Sequence, residues 1–143
     1  MHVEVREGPL SPWQELADFE AGLPGGKSGA TASFVGSMRD FNEGESVVAM
    51  FLEHYPGMTD KFLRRIASEA AERWPLDALF LVHRVGEIRP ADAIVVIGVW
   101  SAHRRDAFEA CRYLIEELKS RAPFWKRETR PDGPHWVAGN TPG

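Results

Sequence analysis

Apolar and polar positions along the chain follow two periods, and the switches between them mark out the elements. Val3 and Val5 alternate with polar neighbours, so residues 2–7 read as a short strand. Ser11-Pro12 supplies a capping residue followed by proline at the first helical position, which predicts a short helix over 13–20. A glycine-rich loop at 22–29 comes next. Residues 30–39 read as a strand, 40–45 as a hairpin-like turn and 47–55 as a further strand. Pro56-Gly57 breaks that strand. Phe62, Leu63, Ile66, Ala70 and Trp74 then follow the 3.6-residue period, predicting a helix from about 58 to 74 that Pro75 stops. Two strands are expected at 77–85 and 93–102, joined through 86–92. The second, A-I-V-V-I-G-V-W, is apolar on both faces, which marks a central strand.

The clearest helix is 104–119, with Ala107, Phe108, Cys111, Leu114, Ile115 and Leu118 as its expected buried stripe. Lys119 lies about 40° around the helix from Ile115, at ~100° per residue, and so at the edge of that stripe. Ala122-Pro123 ends the helix. In an extended 124–129, Phe124, Lys126 and Glu128 face one way and Trp125, Arg127 and Thr129 the other. A last short strand is expected at 135–137. The order β-α-β-β-α-β-β-α-β-β describes an α/β (α+β) sandwich, with helices packed on a largely antiparallel sheet. A length of 143 residues fits one domain spanning 1–143.

Charge changes the picture locally. The chain carries 17 basic and 21 acidic residues, and its isoelectric point of about 5.7 argues against nucleic-acid binding through bulk charge. Yet Lys119, Arg121, Lys126, Arg127 and Arg130 stand against a single acid, Glu128, between positions 119 and 130. That asymmetry points to a site for a small anion. His103-Arg104 lies where a strand passes into a helix. Free backbone N–H groups and the helix dipole favour an anion there, and an arginine adds a bidentate donor; a solvated strand end is the plain alternative. His83-Arg84 reads as a solvated strand end. Lys119 and Lys126 are candidates for acid/base or nucleophilic work if apolar surroundings and neighbouring cations depress their pKa; snorkelling lysines are the alternative.

Other features take plain readings. Gly26-Lys27-Ser28 matches the end of a phosphate-binding loop, but Ala21 stands where that loop needs glycine, so a flexible turn is expected. The five histidines show no zinc spacing, so no metal is expected. Cys111 sits within an apolar stripe and reads as a buried, inert thiol. A single cysteine allows no internal disulfide, which fits the cytoplasm. No apolar run approaches the ~20 residues that span a bilayer, so no membrane is expected.

Several blocks together resemble the large, catalytic subunit of molybdopterin synthase. They are F-V-G-S-M-R-D at 34–40, L-E-H-Y-P-G-M at 52–58, R-W-P-L at 73–76 and H-R-V-G-E at 83–87. They continue with S-A-H-R-R-D-A-F-E-A-C at 101–111 and L-K-S-R-A-P-F-W-K-R-E at 118–128. The resemblance implies an α/β hammerhead-type fold with extra antiparallel strands. It implies a sulfurtransferase of molybdenum cofactor biosynthesis that converts cyclic pyranopterin monophosphate (precursor Z) to molybdopterin. Two sulfurs would come from the C-terminal Gly-Gly thiocarboxylate of a small ubiquitin-like sulfur-carrier subunit. A homodimer with one small subunit at each far end, a heterotetramer, is implied too, with no cofactor. The family's site residues fall on Lys119 and Lys126 as catalytic groups and on Arg39, His103 and Arg104 as substrate-binding groups. The competing expectations are a non-catalytic scaffold that docks the same partner, and an RNA-binding module, which the acidic balance disfavours.

Overall fold

A computed structural model of the chain describes residues 1–42, 44–121 and 123–137, excluding the side chains of Glu45 and Trp125. Its elements in order are β1 (His2–Arg6), α1 (Pro12–Ala21), β2 (Ala30–Ser37), β3 (Phe41–Asn42), β4 (Glu45–Ser46), β5 (Ala49–His54) and α2 (Met58–Arg73). There follow β6 (Leu76–Arg84), β7 (Gly86–Ile88), β8 (Ala93–Ser101), α3 (Arg104–Arg121), β9 (Phe124–Arg130) and β10 (Gly133–Val137).

Two four-stranded sheets carry the fold. In the first, ordered β1-β6-β8-β2, only the β1–β6 pair is parallel. The strand expected to be central, β8, lies between β6 and β2, and most of its residues are buried on both faces. One face of this sheet packs against α2 and α3 around Leu63, Ile66, Leu81, Ile97 and Leu114. Each such side chain contributes about 1.5–3 kcal/mol by leaving water. The other face is covered by α1 through Leu16, Phe19, Phe80 and Trp100. Trp100 donates its indole N–H to Glu20 at 2.9 Å and fills the space that Gly98 leaves: a Cβ on Gly98 would come within 2.7 Å of the Trp100 ring.

The second sheet, ordered β10-β9-β5-β7, is wholly antiparallel. Met38, Val47, Met50, Leu52, Val85 and Ile88 form its own small core. Phe124 packs against both this core and the main one, so it joins the two sheets.

The architecture agrees with the expected α/β class on mostly antiparallel sheets. Local differences have physical causes. The segment 86–88 pairs with β5 rather than looping freely, while β3 pairs with β4 in keeping with the expected hairpin-like turn. The Ser11 side chain does not cap α1; Glu15 accepts the Ser11 backbone N–H at 2.8 Å instead. Trp74 lies just beyond α2, extended, and its indole donates to Glu109 at 2.9 Å. Phe108 is not in the buried stripe of α3 but 67% exposed; Ala110 takes the inward position. Phe108 stands about 100° round the helix from Ala107, beside β2, which is the edge strand of its sheet among the described residues. Finally, His83 and Arg84 are not a solvated strand end: they are 8% and 9% exposed, both paired with β1 and His83 with β8 as well.

Candidate active site

The helix α3 carries candidate residues at both of its ends. Lys119 falls in its last turn, half-buried at the rim of the stripe Cys111–Leu114–Ile115–Leu118, where the period placed it. Beyond Pro123 the chain turns into β9, and the alternation of that strand sets Phe124, Lys126 and Glu128 inward and Arg127 and Thr129 outward. The Trp125 side chain, expected to pack or to flank a planar ligand, lies outside the described residues. Arg39 follows β2 and sits with its guanidinium 5.1 Å from the ring centre of Phe41. Its backbone is held by its neighbour. Met38 donates its N–H to the Asp92 carbonyl and accepts from the Ala91 N–H, both at 2.9 Å.

The electrostatics tie these groups into one cluster. Burial pushes the Lys126 ammonium down to about 8, and Lys119 beside it pushes the same way, against a restoring pull from Glu128. Lys119 is lowered by burial and by the Arg39 charge. A lysine so placed loses its proton far more readily than one in water. Glu128, 6% exposed, is held by Arg130 at 3.0 Å and by Asn42 at 3.0 Å. It therefore supplies one fixed negative charge behind the lysines.

Not every member of the basic run joins them. Arg121 pairs with Glu117 at 2.7 Å on the solvent face of α3. Arg127 points outward, over Phe51 and Trp136 at 5.4 and 5.9 Å. Arg130 is engaged with Glu128. The clustered charge seen in the sequence is thus dispersed by strand alternation and helix phase, and only Lys119 and Lys126 of the five turn into the site.

An open groove of about 570 Å³ runs between β2 and α3 and ends at Lys119. Ser33, Phe34, Gly36 and Ser37 line one side, and Phe108, Cys111, Ile115 and Glu116 the other. Burial raises the Cys111 thiol to about 11, so it remains an unreactive wall, as expected.

His103 and Arg104 stand elsewhere. They are exposed at the start of α3, around a hollow of about 450 Å³ shared with Gly29, Ala102 and Arg105. Gly29 fits there because a Cβ would meet the Ala102 carbonyl oxygen at 2.4 Å. At ~1.5 Å per residue, Arg104 and Lys119 are about 22 Å apart along the helix. Within one chain, the five expected residues form two sites: Arg39, Lys119 and Lys126 at one end of α3, and His103 and Arg104 at the other.

Two residues of the lysine end escaped the sequence reading. His83 stacks on Phe124 with ring centres 4.1 Å apart, and Arg84 donates to Asp92 at 3.2 Å and to the Glu87 carbonyl at 2.8 Å. Through Asp92, Arg84 braces the turn that holds Met38 and, next to it, Arg39. Their place directly after the apolar run 78–82, as the last two residues of β6, was the available signal.

Together these features make an α/β protein on mostly antiparallel sheets with paired, partly dried lysines, and comparison with known proteins supplies the family. Residues 5–121 match the model of the MoaE protein family. The chain is 50% identical over 139 residues to the molybdopterin synthase catalytic subunit of Pseudomonas aeruginosa, covering 97% of this chain and 91% of that one. It is similar in structure to the molybdopterin biosynthesis MoaE protein of Burkholderia ambifaria, with a TM-score of 0.80, 43% identity and coverage of 99% and 92%. The fold is also shared with a Helicobacter pylori protein-protein complex of subunits 1 and 2 of molybdopterin-converting factor, with a TM-score of 0.79, 18% identity and coverage of 95% and 90%. The chain belongs to the MoaE family, whose relatives are molybdopterin synthase catalytic subunits, and these are enzymes. The resemblance read from the sequence, and the enzymatic function in molybdopterin synthesis that it implies, are borne out.

Proposed function

We propose that the chain converts precursor Z to molybdopterin, taking its two sulfurs one at a time from the C-terminal thiocarboxylates of two small ubiquitin-like subunits, each of which leaves as the carboxylate after hydrolysis. The observation that carries this reading is the pair of half-buried, depressed lysines, of which Lys119 lines the β2–α3 groove. An extended Gly-Gly tail, having no side chains, suits a groove walled by strand backbone. The two ammoniums attract its thiocarboxylate. In the attack on the pterin side chain, Lys119 serves as the acid/base or covalent group, and Lys126 stabilises the charge that develops. With a pKa near 8, Lys126 both gives and takes a proton close to neutral pH. Arg39 offers a fixed guanidinium for the phosphate or pterin.

His103 and Arg104 complete the substrate site by charge-assisted hydrogen bonds, which one chain cannot arrange, since they lie at the far end of α3. A homodimer therefore belongs to this reading: a second copy brings one chain's His103–Arg104 end towards the other's lysines. With two small subunits it becomes a heterotetramer. A monomeric mass at micromolar concentration would contradict the dimer. The cytoplasm is its place, in keeping with the lone, unpaired Cys111 and with described helices too short or polar to cross a membrane. The test is reconstitution from purified chain, precursor Z and thiocarboxylated small subunit, with molybdopterin scored as its fluorescent oxidised derivative. Product is expected. Partner binding by folded chain without any product would support a non-catalytic scaffold instead.

A further inference from the structure

His83 has no part in the reaction as set out above, yet it stands inside the lysine site. It is the penultimate residue of β6, on the strand face that also carries Leu79 and Leu81. Its ring lies nearly flat on Phe124, with 20° between the planes, which prevents it from swinging. Nδ1 is 2.8 Å from the Arg84 carbonyl oxygen. A carbonyl only accepts, so Nδ1 carries the hydrogen and Nε2 keeps a bare lone pair.

The surroundings of the ring are specific. Its register neighbours, Val5 on β1 and Val95 on β8, offer no side-chain donor. The charges near enough to act on it are those of Lys119 from α3 and Lys126 from β9; Arg39 acts in turn on Lys119, and Glu128 on Lys126. Burial and the two ammoniums push the imidazole down to about 3, so it is uncharged at any working pH. Such a group suits a site that must hold cations for an anionic reactant. A carboxylate here would neutralise a lysine and draw it away from the substrate. A third cation would repel the pair. A neutral acceptor orients an ammonium and leaves its charge available.

We propose that His83 is a positioning residue for the Lys119–Lys126 pair: anchored at Nδ1 and clamped on Phe124, it presents Nε2 as an uncharged acceptor for a lysine ammonium, Lys119 first. The proposal rests on the reading that these lysines handle charge in sulfur transfer. The test compares pH–rate profiles of the reconstituted enzyme with wild type, His83→Asn and His83→Gln. Asparagine keeps a donor for the Arg84 carbonyl but places nothing at Nε2, whereas glutamine can place an amide oxygen there.

His83→Asn is expected to move the high-pH limb down by about one unit, the worth of a hydrogen bond to a charged group, and to lower kcat with little change in KM for the partner. His83→Gln should recover much of both. A limb that stays in place in both variants, or a fully active His83→Asn, overturns the proposal. Nitrogen-15 NMR of the wild-type histidines, assigned by the signal lost in His83→Gln, gives a second readout that survives poor folding of the asparagine variant. It should show the Nδ1–H tautomer from pH 5 to pH 9, with an Nε2 resonance that moves in Lys119→Ala. An Nε2 resonance indifferent to Lys119→Ala overturns it as well. Inactivity of folded wild-type enzyme would strike the sulfur-transfer reading, while the NMR result would still decide the contact.

Discussion

At its N-terminal end, α3 shows His103 and Arg104 to solvent around the hollow by Gly29; at its C-terminal end it presses Lys119 beside Lys126, partly out of water. The residue types are alike, and dehydration is what separates them. Exposed basic side chains at a helix N-terminus are suited to anchoring a phosphate. Ammoniums moved out of water and set near other cations give up protons more readily than they do in water, which suits acid/base work better than simple anchoring. On the proposed reading, one helix carries an anchor and an acid/base pair for an anion, spaced too far apart to act on one small molecule from a single chain.

Variants at the two ends should separate these roles. The largest effect is expected from Lys126→Met. Its product formation should fall about 10²-fold, the scale of losing one preorganised charge donor, while the fold gains up to roughly 3 kcal/mol at pH 7 from the removed burial penalty. The sign follows from linkage. The folded pKa of about 8 lies below the ordinary lysine value of 10.5, so between the two the unfolded chain binds more protons and wild-type stability rises with pH. Urea titrations at pH 7 and pH 10 should show that rise in wild type and a smaller one in Lys126→Met.

His83 gives the next largest effect. Its imidazole titrates near 3 when folded against 6.5 in the reference state, so the stability it contributes is present above 6.5 and lost as pH falls towards 3. On the order of 3 kcal/mol should be lost between pH 7 and pH 4 on its account. His83→Gln should flatten that part of the curve, as urea melts across the range would show.

At the exposed end, Arg104→Ala is expected to raise the KM for precursor Z about tenfold, the size of one charge-assisted hydrogen bond. It should leave stability within about 0.5 kcal/mol, as for surface changes generally. A change in kcat with KM untouched would blur the contrast between the ends. The smallest effect concerns the turn that holds Met38. Ala91 adopts a φ of 76°, a conformation that glycine takes freely. Ala91→Gly should alter stability by less than about 1 kcal/mol, towards the stabilising side, and thermal melts would record it.

Much of this was legible in the chain because period and position decide it. The alternation of 124–129 put Lys126 and Glu128 on one face, and the phase of α3 put Lys119 at a rim; both hold in three dimensions. What was not legible depends on neighbours distant in sequence. His83 and Arg84 looked like a solvated strand end because nothing local announces that both pair with β1 and His83 with β8 as well. Phe108 fits a helical stripe, but the sheet ends at β2 beneath it. The basic run looked like one patch because a linear count cannot see that Arg121 and Arg127 face away from Lys126. The 22 Å between the two basic sites follows from helix rise alone, yet it becomes meaningful only once both ends of α3 are seen to be occupied.

The decisive measurement is single-turnover formation of molybdopterin by Lys119→Ala, with precursor Z and thiocarboxylated small subunit, alongside partner binding and circular dichroism of the same preparation. Folded protein that binds the partner and forms no product is the expected result, and it would place the chemistry at the dehydrated end of α3. Product formed at the wild-type rate would contradict that assignment and leave Lys119 a lysine lying along an apolar surface.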